Sequence, residues 1–562
     1  MSEKTFYQEI EEILRKKKLS KLDLSKLKIR LCSKHKVINV PTDIQILLNI
    51  EETSKLKTKL RTKPGRTGSG VAVIAVMTEP FECPHGKCSY CPGGLKSVFG
   101  TVPQSYTGSE PATLRGIRNK YDAYLQVMNR LEQYVVMEHF PEKVELIIMG
   151  GTFISFPKKY REEFVLYALK AMNDFSEIFY KNGLLDISKF KKFFEMPGNM
   201  KDPSRVERIH ERLLKIKGKS SLQKEQKRNE TAQVRCVGLT IETRPDYALL
   251  KHANEMLRLG ATRVEVGVQS VYDEPLQLIE RGHDVATTVA SFQILKDLGF
   301  KINAHYMPGL PSVDRKKDFE GMKMMFSDDR FRPDMLKIYP CMVVRGTKLY
   351  DQWKKGGYNP LSTSEAANLI ASFKKFVPPY CRIMRVQRDI PSYQIDAGVH
   401  RTNLRQYIAR IMETKGIKCK CIRCREPKGK GSGKKQIKLI EYDASLGKEF
   451  FISIEDDCFI YGFCRLRFPS TSLRKEITKN SALVRELHVY GSALKVDSKE
   501  SKNKREDVQH KGLGKQLLDF AEKICLQNKK NKIVVISGIG AREYYKKLGY
   551  KLEGPYMIKK LK

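Results

Sequence analysis

Between residues 70 and 400, short apolar runs alternate with amphipathic stretches, and this alternation constrains the fold more than any other feature of the chain. The runs are Val71–Met77, Val144–Met149, Cys236–Ile241, Arg263–Val268, Lys301–Tyr306, Met335–Tyr339 and Arg382–Val386. Segments of helical period, such as Ala248–Leu259 and Val285–Leu298, separate most of them. Buried strands joined by helices predict an α/β fold with a parallel sheet, closed or partly closed into a barrel. In such barrels the reacting groups sit at the carboxyl ends of the strands. Those ends carry Cys83 to Cys91, Gly150-Gly151-Thr152, Glu242-Thr243-Arg244, Gln269-Ser270 and Pro308-Gly309-Leu310-Pro311, so the barrel predicts that they share one rim.

Two cysteine groups carry ligand chemistry. Cys83, Cys88 and Cys91 follow the first apolar run with the spacing C-x4-C-x2-C, close enough for one loop to wrap an iron–sulfur cluster. Three thiolates leave one iron of a 4Fe–4S cluster without a protein ligand, whereas a closed zinc site needs four. His85 lies inside the loop and could supply a fourth, so a zinc knuckle is the alternative. Farther along, Cys419, Cys421 and Cys424 fall within six residues, a spacing that suits zinc with a fourth ligand from His400 or Cys381. A second cluster and unliganded thiols are the rivals there. Cys32, Cys236, Cys341, Cys458, Cys464 and Cys525 read as core or incidental thiols.

The chain has 104 Lys and Arg against 64 Asp and Glu, a formal net charge of +40. That excess is clustered, which predicts a polyanionic partner such as nucleic acid. In residues 1–66 a helix with Phe6, Ile10, Ile13 and Leu14 on one face leads into Arg15-Lys16-Lys17-Lys18. A second helix is expected from Thr42 to Glu52, capped by Thr42 or Asp43. Lys55, Lys57, Lys59, Arg61 and Lys63 then alternate along the chain and Arg66 follows, which places the alternating charges on one side of an extended strand able to track a phosphate backbone. Residues 181–233 read as a lysine-rich, partly helical insertion in a domain spanning 67–400, and residues 401–440 as a cysteine-rich linker. No apolar segment approaches the roughly 20 residues of a membrane span, and Met1–Phe6 has no signal-peptide core, so a cytoplasmic location is expected.

Residues 441–562 form a distinct α/β unit. Strands are expected at Phe450–Ile454, Phe459–Arg467, Ser481–Val489 and Ile533–Ser537. Between the last two lies Gln509-His-Lys-Gly512-Leu513-Gly514-Lys515-Gln516, whose glycines open a helix and let backbone N–H groups approach a pyrophosphate.

These motifs carry a resemblance. The first half resembles the radical S-adenosylmethionine (SAM) superfamily, with Gly150 and Gly151 matching its site for the SAM amino group. The second half resembles the GNAT acetyltransferases, whose Q/R-x-x-G-x-G/A acetyl-CoA loop is matched by Gln509 to Gly514. Adding Cys91-Pro-Gly-Gly94, Gln104-Ser-Tyr-Thr-Gly108, Thr240-Ile-Glu-Thr-Arg-Pro-Asp246, Arg385-Val-Gln-Arg-Asp-Ile-Pro391, Arg485-Glu-Leu-His-Val-Tyr-Gly491 and Tyr544-Tyr545, the chain from about 61 to 562 resembles the catalytic-subunit family of Elongator, in an archaeal or bacterial form.

The resemblance implies a radical SAM partial (β/α) barrel followed by a GNAT-like domain, with a basic helical N-terminal region. It implies conversion of the wobble uridine of tRNA to 5-carboxymethyluridine, using a 4Fe–4S cluster on Cys83, Cys88 and Cys91, SAM and acetyl-CoA. A 5′-deoxyadenosyl radical would take hydrogen from the acetyl methyl group, and the carbon radical would add to carbon 5 of the uracil. Glu486, Leu487, His488 and Val489 would offer strand backbone to the pantetheine arm, and Leu513, Gly514, Lys515 and Gln516 the helix start to the pyrophosphate. Tyr545, with Tyr544 beside it, would hydrogen-bond the thioester or act as general acid, and Lys143 would reach the acetyl-CoA site. Glu242, Arg244 and Gln269 would contact cofactor, with a structural ion pair of Glu242 and Arg244 as the alternative. The basic N-terminal residues would contact the anticodon stem-loop, and a homodimer acting without other Elongator subunits is expected. Rival readings are a protein-lysine acetyltransferase with the cluster domain as scaffold, a radical SAM methylthiotransferase, and a tRNA-binding scaffold.

Overall fold

The computed structural model describes residues 2–17, 19–50, 60, 70–199, 202–427, 433–491 and 512–561. The chain begins with three helices, Ser2–Lys16, Lys21–Lys34 and Asp43–Asn49. Thr42 caps the third through a reciprocal box with Gln45, as its sequence predicts. The helix Lys21–Lys34 escapes sequence reading because its lysines dilute the apolar stripe of Leu24, Leu27 and Leu31. Together with Phe6, Ile10 and Leu14, these leucines form a core separate from that of the barrel.

The barrel strands are β1 (Ala72–Met77), β2 (Lys143–Met149), β3 (Arg235–Thr243), β4 (Arg263–Gln269), β5 (Lys301–Tyr306), β6 (Met335–Ile338) and β7 (Arg382–Arg385). They lie side by side in chain order, and every neighbouring pair is parallel. Within the sheet β1 and β7 each have one strand neighbour, so this is a partial barrel. All seven strands fall where the apolar runs place them, to within three residues at either end. The stretch 181–233 is ordered into the helices Ile187–Phe193, Pro203–Lys217 and Leu222–Asn229, apart from residues 200 and 201 outside the description. Phe190, Phe194, Leu213 and Leu222 sink into the main core.

The C-terminal sheet has seven strands: β8 (Gln436–Ala444), β9 (Gly447–Glu455), β10 (Ile460–Phe468), β11 (Ser481–Val489), β12 (Lys532–Val535), β13 (Lys551–Glu553) and β14 (Tyr556–Lys560). Their order is β8-β9-β10-β11-β12-β14-β13, antiparallel except for β11 with β12. The β11–β12 register stops at Val484 and Val535, so past that point one edge of β11 has no strand partner among the described residues. The stretch read as a linker is more structured than its composition suggests. It contains the helix Leu404–Thr414, and β8 starts inside it.

Buried charges hold the two sheets together. Arg485, 1% exposed, donates to both Asp334 oxygens at 2.8 and 2.6 Å and to Glu449 at 2.9 Å. Arg467 spans Asp297 at 2.6 Å and Glu449 at 2.9 Å, and all three are fully buried. Burial alone would raise the Asp334 pKa, but Arg485 and Arg465 outweigh it and hold the carboxyl well below the usual range. Apolar contact continues across the seam, since Phe451, Phe463, Val534 and Tyr556 belong to the barrel's own core. Among the described residues, no helix is long and apolar enough to cross a membrane.

Candidate active site

The loop after β1 brings Cys83, Cys88 and Cys91 to the carboxyl end of the barrel. Each thiol has partners of its own. Cys88 accepts from Arg281 Nη1 at 3.6 Å and lies 3.1 Å from His85 Nε2. Cys91 donates to Gln104 Oε1 at 3.2 Å and accepts from the Ser105 amide at 3.3 Å, while Cys83 lies 4.0 Å from the Thr152 hydroxyl. Burial pushes the Cys83 thiol up to about 11 and raises Cys91 too, so ionised sulfurs here need a cationic ligand. These three sulfurs are not gathered within 4.8 Å of one another, because the one His, Cys, Asp or Glu group that meets this test among the described residues is Cys419, Cys421 and Cys424. Around a single tetrahedral zinc, sulfurs would lie about 3.8 Å apart. The wider set leaves room for a group larger than one ion.

Gly150 and Gly151 follow β2 with φ of +131° and +106°. A Cβ on Gly150 would sit 2.0 Å from the Thr78 hydroxyl oxygen, so only glycine permits this turn. The Glu242–Arg244 ion pair does not form. Arg244 instead grips Asp246 at 2.9 and 2.8 Å and the Gly282 carbonyl, which leaves its Nη1 buried with no protein acceptor. Glu242 accepts from the Tyr106 hydroxyl at 3.2 Å, and burial drives its pKa up to about 7 against the pull of Lys337. Gln269, with φ of +69°, closes the rim beside them.

At the far end, β11 runs on past its last pair with β12 through Glu486, Leu487, His488 and Val489. Their side chains have other tasks: Glu486 binds Arg465 at 2.9 Å, and His488 stacks on Phe463 with burial lowering its pKa to about 4. The helix Leu513–Gln527 opens at Gly512, with φ of +73° and no side-chain cap. The Gln516 N–H already bonds the Gly512 carbonyl at 3.0 Å, so Gln516 is corrected out of the phosphate-facing donors and Leu513, Gly514 and Lys515 remain. The Leu513 side chain packs into the core. A Cβ on Gly514 would come within 2.8 Å of the Tyr544 hydroxyl, so the glycine admits that hydroxyl to the helix start. Tyr545 is 6% exposed and Tyr544 41%. Gln509 lies outside the described residues.

One cavity of about 2880 Å³ joins these places. Cys83, Gly151, Glu242 and Arg244 line it at the carboxyl rim of the barrel, Val489, Gly514, Tyr544 and Tyr545 line it from the C-terminal domain, and Lys143 at the start of β2 lines it too. The sequence reading missed the polar chain that crosses the barrel interior. Arg263 reaches Glu145 and Glu265, and Glu265 takes His305 at 2.9 Å and Lys337 in a close ion pair. The signal was alternation: Arg263, Glu265, Gly267 and Gln269 share one face of β4, and all four line the cavity. Arg281 was missed because it lies on a loop beyond the strand end.

The second cysteine group is built differently. Cys419, Cys421 and Cys424 gather within 4.8 Å, and neither His400 nor Cys381 joins them at that range. Thiol hydrogen bonds from Cys419 and Cys424 hold Cys421 below the usual thiol range. Lys374 donates to Cys424 at 3.8 Å. The knuckle ties both halves: Ile422 N–H bonds the Cys381 carbonyl beside β7, and Arg425 pairs with Glu455 of β9 at 2.7 Å. Of the expected nucleic-acid contacts, Arg15 pairs with Glu11 and Lys16 ends its helix. Lys17 follows as coil, while Lys18, Lys55, Lys57, Lys59, Arg61, Lys63 and Arg66 lie outside the described residues.

The chain matches four family descriptions: the ELP3 N-terminal domain over residues 4–68, the radical SAM superfamily over 198–321, the radical SAM C-terminal domain over 333–414, and the GNAT acetyltransferase domain over 505–560. It is 44% identical to the tRNA uridine(34) acetyltransferase of Methanocaldococcus jannaschii, across 98% of this chain and 96% of that one. The chain belongs to the Elongator complex protein 3 family. The human Elongator complex protein 3 is 38% identical over 96% of this chain and 94% of its own. The solved structure of archaeal Methanocaldococcus infernus Elp3, with residues 1–46 deleted, superposes with a TM-score of 0.70 at 39% identity, covering 88% of this chain and all of that one.

A radical SAM domain implies a 4Fe–4S cluster and SAM, and a GNAT domain implies acetyl-CoA. The residues fit all three. The separated, desolvated thiols of the first loop suit a cluster, and the acceptor-less Arg244 nitrogen suits a carboxylate. The stretch of β11 past its last pair with β12, beside an uncapped helix start, suits an amide-containing arm ending in a pyrophosphate.

Proposed function

We propose that the chain attaches a carboxymethyl group, derived from acetyl-CoA, to carbon 5 of the wobble uridine of tRNA. The observation that carries this reading is the single cavity meeting both Cys83 and Tyr544, so that a short-lived radical and a thioester can share one continuous space. The archaeal relatives are named for uridine 34, the wobble position. When bound, the cluster and SAM would supply a 5′-deoxyadenosyl radical, and acetyl-CoA the methyl group from which it takes hydrogen.

The protein's share is orientation and proton placement. Cys83, Cys88 and Cys91 would hold three irons, with Arg281 offsetting charge at Cys88. The Gly150–Gly151 backbone, Glu242 and the Arg244 Nη1 would hold the amino and carboxylate ends of SAM. The β11 edge would take the pantetheine amides, and the Leu513, Gly514 and Lys515 N–H groups the pyrophosphate. Burial holds the Tyr545 hydroxyl well above the ordinary tyrosine range, so it stays protonated as a donor to the thioester carbonyl while thioester hydrolysis releases the product. Cys419, Cys421 and Cys424 would bind a zinc ion that staples the two halves. The basic N-terminal region would meet anticodon-stem phosphates in a cytoplasmic enzyme that acts without other Elongator subunits, so tRNA affinity should fall steeply with salt.

The test is anaerobic reconstitution with tRNA, SAM, acetyl-CoA and reductant, followed by nucleoside mass analysis. Carboxymethyluridine that requires both SAM and acetyl-CoA supports the reading. Its formation without SAM removes the radical, and acetyl-lysine as the product without any new nucleoside replaces the reading with protein acetylation.

A further inference from the structure

The short helix Arg542–Lys546, which carries Tyr544 and Tyr545, is fixed to the barrel at two points. The first is the loop Ile536–Ala541 ahead of it, which rests with bare backbone on the start of β3. A Cβ on Gly538 would lie 2.1 Å from the Val237 carbonyl oxygen, and one on Gly540 would lie 2.5 Å from Arg235 Cβ. The second is Glu230, which follows the helix Leu222–Asn229 and is 1% exposed. It accepts from Arg542 Nη1 at 3.1 Å and from Lys546 Nζ at 2.8 Å, and so grips both ends of the tyrosine helix. Burial alone would raise the Glu230 pKa, but the hydrogen bonds from Lys546 and Arg542 outweigh it and keep the carboxylate charged. Nothing at the acetyl-CoA end of the cavity requires a contact with the 181–233 segment, yet that segment supplies this brace.

We propose that Glu230 is a positioning residue for acetyl-group transfer, and that the 181–233 segment serves to hold Tyr544 and Tyr545 in register with the barrel. This rests on the reading that the two tyrosines face the thioester. With the glycine contact alone, the helix would pivot about residues 538–540. Tyr545 is anchored in the core of the C-terminal sheet, so the half-exposed Tyr544, whose hydroxyl sits against Gly514, would move most. Hydrogen transfer from the acetyl methyl group and addition of the resulting carbon radical to the uracil would then lag behind SAM cleavage. The signature is uncoupling: 5′-deoxyadenosine is made without a matching yield of modified uridine.

The experiment uses the full-length reconstituted protein as wild type, Glu230→Gln, Glu230→Asp and Lys546→Met. It measures modified uridine per 5′-deoxyadenosine, KM for acetyl-CoA, tRNA affinity, and hydrogen exchange of the 536–546 amides. Glu230→Gln is expected to lower the product ratio about tenfold and to raise KM for acetyl-CoA. Its tRNA affinity should be unchanged, Glu230→Asp should recover part of the ratio, and Lys546→Met should reproduce a milder loss. An unchanged ratio and KM in Glu230→Gln overturns the proposal, even if thermal stability falls. If wild type makes no carboxymethyluridine, the functional reading fails separately, and exchange decides the brace: faster exchange confined to 536–546 in both Glu230→Gln and Lys546→Met supports it, and unchanged exchange sinks it.

Discussion

The chain holds two sets of three cysteines, and they are opposites in construction. Cys83, Cys88 and Cys91 are held apart, each bonded to something other than a thiol, at the end of a cavity large enough for two cofactors. Cys419, Cys421 and Cys424 are gathered within 4.8 Å, bonded to one another, and set in a knuckle between the two sheets. Similar spacing in sequence therefore leads to different chemistry in space. A strand end facing a cavity would keep its ligands open to substrate, whereas the gathered set has the spacing to close around one small ion if it binds one, as proposed above.

The sharpest way to break this contrast is to remove one sulfur from the open set. Cys88→Ala is expected to drop both 5′-deoxyadenosine and modified uridine to background, with iron and sulfide content lost and the denaturation midpoint little moved. A variant that keeps SAM cleavage would show that the open set does not hold the cluster.

Next in size are the seam charges, which compete with the second cysteine set for the task of holding the sheets together. Asp334→Ala leaves Arg485 with Glu449 and the Phe300 carbonyl, removes the Asp334 charge facing Arg465, and is expected to cost about 3–5 kcal/mol, the usual penalty for breaking a buried pair from one side. The sign with pH follows from the depressed Asp334 pKa. Its contribution is complete above the unfolded carboxyl value of about 3.9 and is lost as pH falls through the lower folded value. Urea unfolding of the wild type should therefore weaken on acidification below that window, and the variant should show less of that loss. Equal acid sensitivity in both would place the weld elsewhere.

Cys421→Ser tests the closed set directly. Cys421 is fully buried, so a hydroxyl in its place lacks both metal and good partners and should cost about 1–3 kcal/mol. SAM cleavage by the folded protein should persist. Loss of SAM cleavage at unchanged stability would make the two sets functionally alike and end the contrast.

Much of this is legible in the amino-acid sequence itself. The seven barrel strands were visible because each is a short run rich in apolar residues set between helical segments, continuous in Ala72–Met77 and alternating with polar residues in Arg263–Gln269. Both cysteine sets and the glycine-opened helix were visible because ligand and phosphate chemistry demand residue types at fixed spacing. The hidden parts share one cause, which is that their role depends on a partner far along the chain. Glu265 reads as a lone acid in an apolar strand until His305 and Lys337 are brought against it. The strand Gln436–Ala444 is an edge strand that leaves Ile437 and Leu439 exposed, so its pattern looks like a linker. Glu230 sits in a lysine-rich stretch that resembles solvated surface, and only its contact 312 residues away with Arg542 gives it meaning.

The smallest expected effect probes the open set's surroundings and not its sulfurs. Burial holds Glu242 at about 7, so its ionised fraction rises about tenfold between pH 6 and pH 8. If the carboxylate faces the amino group of SAM, affinity measured by equilibrium dialysis should tighten by up to that factor across the window. The amino group of SAM titrates as well, so the informative quantity is the difference between wild type and Glu242→Gln, whose profile should be flatter. The closed cysteine set has no titratable carboxylate of this kind open to a ligand, so Cys421→Ser should leave the wild-type pH profile in place. Identical profiles for wild type and Glu242→Gln would mean that this carboxylate serves only Tyr106 and Lys337. SAM recognition at that rim would then rest on the Gly150–Gly151 backbone and Arg244.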